Sequence, residues 1–373
     1  MNISKIFQQY NTKQLTIGVL GSHSALEVCR GAKDEGFKTL VVAQKGREKI
    51  YRDYYKSIGK NGIVDETLVL DSFRDVLLEK IQKILRSKNV IFIPHRSFEV
   101  YLDFQYDKIE QNFAVPMFGN RRLLRIEERS FEFNQYDLLR EADIRYPKIF
   151  KDPKDIDRLC LVKVLEKERE FERAFFIVDS FKDYQKKVKE KIKKGIFTEK
   201  QLKEGVIEEY IIGVHVNFNF FYSPIQKRLE LLGTDTRRQT NIEAFGRIPS
   251  FYHEELYKKI AVQYEEAGHV AVTILESMLD QVYELGEKFV KTAEKMISPG
   301  VIGPFALQSI IVPGPPRKDI IVVDVSPRVP GSPGIGATPY SSYLFGESVS
   351  VGRRIAMEIK EGIKQNKLDR IIT

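Results

Sequence analysis

Leu15-Thr16-Ile17-Gly18-Val19-Leu20-Gly21-Ser22-His23-Ser24 is a short apolar run that stops at a turn of glycine, serine and histidine. A run of that length bounded by a turn signal suits a buried strand better than a helix, which needs roughly 10 residues or more. A helical pattern over residues 25–35 follows, then a second apolar run over residues 39–43. Further out, Thr67-Leu68-Val69-Leu70 precedes an amphipathic stretch with Phe73, Val76, Leu77, Ile81 and Ile84 on one face, for which Asp71 or Ser72 offers a cap. Val90-Ile91-Phe92-Ile93 then runs into Pro94-His95-Arg96-Ser97, a second buried strand ending in a polar turn. Strands alternating with helices predict a parallel sheet, and ligands of open α/β sheets collect at the carboxyl ends of the strands. The turns at His23 and Ser97 are therefore expected to line one crevice.

Beyond this lobe the pattern changes twice. Val115-Pro116-Met117-Phe118-Gly119-Asn120-Arg121 closes the first lobe, and a helix is predicted over residues 123–142. Apolar strands are predicted over residues 159–163 and 174–178, backed by a basic helix from Lys182 to Lys194 whose Tyr184, Val188 and Ile192 share a face. The lysines of that run read as a solvated helix face. From Gly205 onward a period of two through His215 to Tyr222 signals antiparallel strands. A long amphipathic helix carrying Leu279, Val282, Gly286, Phe289, Ala293 and Met296 follows, then a strand pair over residues 305–312 and 320–325, and a final helix over residues 349–363. The expected class is mixed α/β and α+β, in three units: residues 1–122, 123–204 and 205–373.

A chain of 373 residues exceeds one compact core of usual size, and 42% hydrophobic with 30% charged residues is ordinary globular composition. Two cysteines, Cys29 and Cys160, both in apolar stretches, support neither a disulfide framework nor a cysteine-rich metal site. The formal charge of +8 comes from 60 basic residues interleaved with 52 acidic ones, so no nucleic-acid partner is expected. Neither a leader pattern nor an apolar stretch of bilayer length occurs, and a cytoplasmic protein without membrane association is the expectation.

A strand lysine (Lys163), a short Glu208-Glu209-Tyr210 hinge strand and late-strand oxygen ligands (Gln308, Asp324) occur in the order used by ATP-grasp ligases. With Pro116-Met117-Phe118-Gly119-Asn120-Arg121, Phe221-Tyr222-Ser223-Pro224, Arg247-Ile248-Pro249, Gly303-Pro304-Phe305 and Arg354-Ile355-Ala356-Met357-Glu358-Ile359, the chain resembles, over nearly its whole length, the archaeal formate-dependent AICAR formyl ligases, or FAICAR synthetases. The resemblance implies an ATP-grasp architecture behind an N-terminal pre-ATP-grasp lobe, a homo-oligomer, and ATP with Mg²⁺ (or Mn²⁺) as cofactors. The implied reaction is formylation of AICAR to FAICAR in purine biosynthesis, through formyl phosphate.

Carried over by position, the resemblance implies that His23 and Ser97 contact AICAR, joined by His269, which stands where the family has asparagine. For ATP it implies Lys163, Glu208, Glu209, Tyr210 and Gln239, the last replacing a glutamate. Gln308 matches a metal ligand, Asp324 stands where the family uses glutamate, and Arg328 also matches. The chain departs most where the family has a glycine-rich phosphate loop: residues 164–173 contain no glycine and four glutamates. That loop leaves open an alternative, a relative that binds a purine ribotide with altered or lost ATP chemistry. The Gly-rich segment Pro327-Arg328-Val329-Pro330-Gly331-Ser332-Pro333-Gly334-Ile335-Gly336 reads equally as an anion loop or a stiff connector, since proline lacks the N–H an anion nest needs.

Overall fold

The computed structural model describes residues 3–129, 131–163, 175–203, 205–238, 248–259, 267–314, 316–331 and 333–373. Three sheets organise them. The first is four-stranded and parallel, in the order β3-β2-β1-β4, from β1 (Thr16–Leu20), β2 (Lys38–Gln44), β3 (Glu66–Leu70) and β4 (Val90–Ile93). All five β1 residues are buried because both faces are covered. Ile17, Val19, Val41 and Ile91 face one core, while Leu20, Leu40, Val42 and Phe92 face another. The stretch after β3 breaks into a 3₁₀ turn, Phe73–Leu77, and a helix, Glu79–Ser87, and Ser72 caps the first with a capping box to Asp75.

The first core is shared with the end of the chain. Helix Val351–Lys364 packs on helix Ala25–Asp34, and the approach is so close that a Cβ on Gly31 would lie 2.0 Å from the Arg353 backbone nitrogen. Gly31→Ala is therefore expected to force the helices apart and cost ~1–3 kcal/mol, the usual scale of overpacking, read as a lower urea midpoint. Ile372 bridges Phe118, so the C-terminal strand segment also rests on the first sheet.

The second sheet, β5-β8-β6-β7, is antiparallel: β5 (Ile149–Phe150), β6 (Cys160–Lys163), β7 (Phe175–Val178) and β8 (Val206–Glu209). Tyr184, Val188 and Ile192 of helix Phe181–Lys193 pack on its core; Lys182, Lys186, Lys189 and Lys193 are exposed, while Lys187 donates to Ile177 O at 2.9 Å and Lys191 lies over the Phe176 ring. Because β8 pairs with β5 and β6, this sheet draws in chain beyond residue 204, where the sequence reading placed a boundary. The helix predicted over residues 123–142 is also interrupted, into a 3₁₀ turn Leu124–Glu127 and a helix Gln135–Glu141 started by an Asn134–Asp137 capping box.

The third sheet, β11-β10-β9-β12-β13, is antiparallel: β9 (Val214–Ser223), β10 (Arg228–Arg238), β11 (Gly268–Ala271), β12 (Gly303–Val312) and β13 (Asp319–Ser326). Helix Leu279–Met296 covers one face, where Phe220, Phe289 and Phe305 stack at 5.1 and 5.2 Å between rings. Such aromatic pairs add ~0.5–1.5 kcal/mol beyond their buried area. Strand alternation sends the intervening residues of β9, β10, β12 and β13 to the opposite face, where Phe221 and Leu232 join the first core and Asn217, Asn219, Asp235, Gln308 and Asp324 form a polar stretch.

Candidate functional site

One register row crosses the large sheet through Asp235 on β10, Asn217 on β9, Gln308 on β12 and Asp324 on β13. Directly paired residues of an antiparallel sheet project to one side. The row is hydrogen-bonded at both ends: Asn217 Nδ2 donates to Asp235 Oδ2 at 2.8 Å, and Gln308 Nε2 donates to Asp324 Oδ2 at 2.9 Å and to Ser326 Oγ at 3.1 Å. Asn219, two residues on, donates to Asp235 Oδ1 at 2.6 Å, and His269 Nδ1 lies 2.5 Å from Asp235 Oδ2. Burial works to raise the Asp235 carboxyl, but the bonds from His269, Asn219 and Asn217 outweigh it and hold it below the usual carboxylate range.

From Asp324 a chain of contacts leads into the small sheet. Arg129 Nη2 donates to Asp324 Oδ1 at 2.7 Å and Arg129 Nε to the Tyr136 hydroxyl at 3.0 Å. The Tyr136 hydroxyl in turn donates to Glu208 Oε2 at 2.6 Å, and Glu208 contacts the Lys163 ammonium through its other oxygen. Burial again opposes ionisation of Asp324, yet the charges of Arg129, Arg237 and Lys163 keep its carboxyl below the ordinary range. Lys163, Glu208, Gln308 and Asp324, four residues singled out in the sequence, thus belong to one network. Glu209 does not join it. Neighbours on a strand point to opposite faces, and Glu209 turns to Arg158 at 3.3 Å and the Lys148 amide at 3.2 Å. Tyr210 is held by its backbone, whose N–H donates to Leu159 O at 2.9 Å. Gln239 and the 164–173 loop lie outside the described residues.

The strand-end turns of the first sheet meet as the alternation predicted. Ser97 Oγ donates to Ser22 Oγ at 3.1 Å, and the His23 and His95 rings stack at 5.5 Å. His23 takes a left-handed backbone, φ 50°, and its ring stacks on His95 with Gly331 alongside. It does not cap the next helix: Ser24 occupies the N-cap position, and its hydroxyl donates instead to Pro330 O at 2.9 Å. His95 Nε2 bonds Leu20 O at 2.8 Å, and burial depresses this imidazole to about 4, so it stays neutral.

The 327–337 segment joins the two regions. Val329 bridges His95, Pro330 receives Ser24, Gly331 lies against the His23 ring, and the Pro333–Ala337 turn covers Gly233 of β10. Of the two sequence readings, the connector is the one these contacts match. Arg328 at its start is buried, with Nη2 2.7 Å from Glu127 Oε1 and Nε 3.5 Å from Glu99 Oε1. Arg96 Nη1 reaches the same two carboxylates at 3.4 Å.

Asn217, Asn219, Asp235 and Arg129 escaped the sequence reading. The period-two polar residues His215, Asn217 and Asn219 were a usable signal, since they alternate with buried Val216, Phe218 and Phe220. A small catalytic cation would find oxygen donors in Asp324, Gln308 and Ser326. Among the described residues no cluster of three or more His, Cys, Asp or Glu side chains could hold a metal alone. This set fits a hard cation that brings phosphate ligands of its own, as Mg²⁺ commonly does.

A parallel lobe, a small antiparallel sheet bearing a lysine, and a large antiparallel sheet with a polar ligand row together define an ATP-grasp protein. Solved structures agree: an IMP biosynthesis protein PurP from Thermococcus kodakaraensis superposes with a TM-score of 0.71 at 29% identity over 96% of this chain and 100% of that one. N5-carboxyaminoimidazole synthetase from Staphylococcus aureus, complexed with ADP, shares the fold, with a TM-score of 0.56 at 13% identity over 91% of this chain and 80% of that one. Two families described only as a protein of unknown function (DUF1246) and a domain of unknown function (DUF1297) match residues 17–150 and 183–373. The 5-formaminoimidazole-4-carboxamide-1-(beta)-D-ribofuranosyl 5'-monophosphate synthetase of Methanocaldococcus jannaschii is 39% identical over 100% of this chain and 98% of its own length. The chain belongs to that synthetase family.

Proposed function

We propose that the protein is an ATP- and formate-dependent ligase that formylates AICAR to FAICAR, with formyl phosphate as the intermediate. The observation that carries this reading is the Lys163–Glu208–Asp324 network together with the Ser22–Ser97 turn pair, linked by residues 327–331, which run from Ser326, the partner of Gln308, to His95 and Ser24. Full-length similarity to synthetases of that name supports the substrate choice.

In this mechanism His23, Ser22 and Ser97 hold the ribotide at the carboxyl ends of β1 and β4, where hydroxyl and imidazole donors suit its phosphate and carboxamide. Lys163 offers its ammonium to the triphosphate, and the Glu208 and Tyr136 contacts set its position before nucleotide arrives. Asp324 and Gln308 would hold Mg²⁺ (or Mn²⁺), which when bound supplies charge neutralisation as the phosphoryl group moves. Arg129, now on Asp324, would turn toward phosphate oxygens. Formate is a poor electrophile; phosphorylation gives it a leaving group that the AICAR amine displaces.

Calorimetry and turnover on one preparation test the reading. AICAR binding together with formate-dependent release of ADP and FAICAR supports it; AICAR binding without nucleotide binding or turnover favours a ribotide-binding relative that has lost the ligase step. A narrower expectation concerns Gly331, where a Cβ would sit 2.6 Å from His23 Nε2. Gly331→Ala should displace the ring and weaken AICAR binding by ~1–3 kcal/mol, the cost of leaving polar partners unmatched, with little change in melting temperature.

A further inference from the structure

Arg47 is a cation at the strand ends that the formylation reading does not yet use. It follows β2 in a tightly bonded turn: Gly46 takes φ 88°, its N–H donates to Glu48 Oε2 at 2.6 Å, and the Arg47 N–H donates to Gln44 O at 2.9 Å. The guanidinium lies 5.7 Å from the centre of the Phe73 ring and 5.2 Å from that of Tyr101, and those two rings stack on each other at 4.7 Å. Aromatic faces of this kind attract a planar cation and hold it in place.

From Arg47 a run of hydroxyls leads to the strand-end turns. Arg47 Nη1 donates to the Tyr101 hydroxyl at 2.9 Å, and that oxygen lies 3.4 Å from Ser22 Oγ, which also accepts from Ser97. A phenol that accepts from a guanidinium has its own proton to pass on, so Tyr101 is placed to donate to Ser22, and Ser22 keeps its proton for a ligand.

The positive charge is left over as well. Glu48 holds the Gly46 amide and lies 3.6 Å from Arg52, while Asp103, two residues beyond Tyr101, accepts from Arg74 at 2.6 Å. Among the described residues Arg47 forms no ion pair with a carboxylate. Tyr51, whose ring lies beside Gly21, feels the Arg47 charge, but burial pushes its phenol up to about 12 and it brings no charge of its own. An uncompensated guanidinium next to three linked hydroxyls is complementary to a phosphate: the fork matches two of its oxygens and the hydroxyls supply further donors.

Resting on the ribotide reading of the His23 turn, we propose that Arg47, steadied by Tyr101 and Phe73, binds the 5'-phosphate of AICAR and so selects the ribotide over its nucleoside. The phosphate then takes the Arg47 side of Ser22, and the heterocycle falls to His23, beside Gly331.

Calorimetry with AICAR and with its phosphate-free riboside, on the unmodified protein, Arg47→Met and Arg47→Lys, tests this. Arg47→Met is expected to weaken AICAR binding by ~10–100-fold, the scale of losing a charge-assisted contact, and to leave riboside binding unchanged. Arg47→Lys should recover part of the loss, since it keeps the charge without the fork. Because Arg47 is exposed, both variants should melt close to the unmodified protein. Where riboside binding is too weak to titrate, inorganic phosphate is the probe: it should displace AICAR from the unmodified protein and not from Arg47→Met. An arginine that only props Tyr101 would cost both ligands equally, and that result, or undiminished AICAR binding in Arg47→Met, overturns the proposal. Binding does not require turnover, so AICAR bound without formylation contradicts the ligase reading and leaves the phosphate site standing. If the unmodified protein binds neither ligand, the ribotide reading fails and this site with it.

Discussion

Asp324→Asn is expected to reduce ATP-dependent formylation by ~10²–10³-fold, the scale of losing one preorganised electrostatic group, while leaving AICAR affinity unchanged. Asp324 is the carboxylate of the polar row nearest both Lys163 and Arg129, and its ionised form is held by their charges. Asparagine keeps the shape and loses the charge, so the phosphate-side chemistry suffers and the ribotide turn, on another sheet, does not. Steady-state kinetics with varied Mg²⁺, beside AICAR calorimetry, separate the two effects. A parallel loss of AICAR binding would place Asp324 in the ribotide pocket instead.

Arg328→Met should be the most destabilising substitution near the site, by ~3–5 kcal/mol, because it strips a buried cation from two buried carboxylates. Among the described residues, Arg96, 3.4 Å from each, would then be the one cation left against Glu99 and Glu127. The penalty should depend on pH. Burial, then the Glu127 charge, pushes the Glu99 carboxyl up to about 7. A carboxyl raised on folding contributes stability that is present below its unfolded value and lost as pH rises through the folded one. The stability of the unmodified protein relative to Glu99→Gln should therefore fall between about pH 5 and pH 8. Arg328→Met should cost less at the acid end, where one carboxylate is already neutral. Urea titrations at both pH values decide this, and subtracting the Glu99→Gln curve removes the opposing contribution of His95, whose depressed imidazole destabilises toward acid.

The first lobe was legible because its signals are local. Short, nearly continuous apolar runs at β1 and β4, each ended by a turn, read as strands buried on both faces, and the turns that end them meet through Ser22 and Ser97. The network between the sheets was less legible because it depends on pairing across long separations. Arg129 sits in a stretch with helical periodicity, yet it reaches Asp324 only because the helix is broken between Glu127 and Gln135. Gln135 stabilises that break, donating to Glu127 O at 3.2 Å and accepting from the Val325 amide at 2.7 Å. Glu208 and Glu209 are adjacent in sequence, and only the register of β8 against β6 decides that the first faces Lys163. Asp235 and His269 lie 34 residues apart, so neither advertised the other.

The connecting segment shows how a composition signal acquires meaning from its neighbours. A Cβ at Gly331 would meet the His23 ring, and Pro327 and Pro330 fix φ in the chain that runs from β13 to the His23 turn.

The most direct measurement follows the oxygen atoms of formate. With [¹⁸O]formate, ATP and AICAR, the formyl phosphate route predicts that one labelled oxygen appears in the released phosphate and the other in the formyl group of FAICAR, in step with ADP. Formation of FAICAR with unlabelled phosphate, or AICAR binding with no FAICAR at all, would contradict the account.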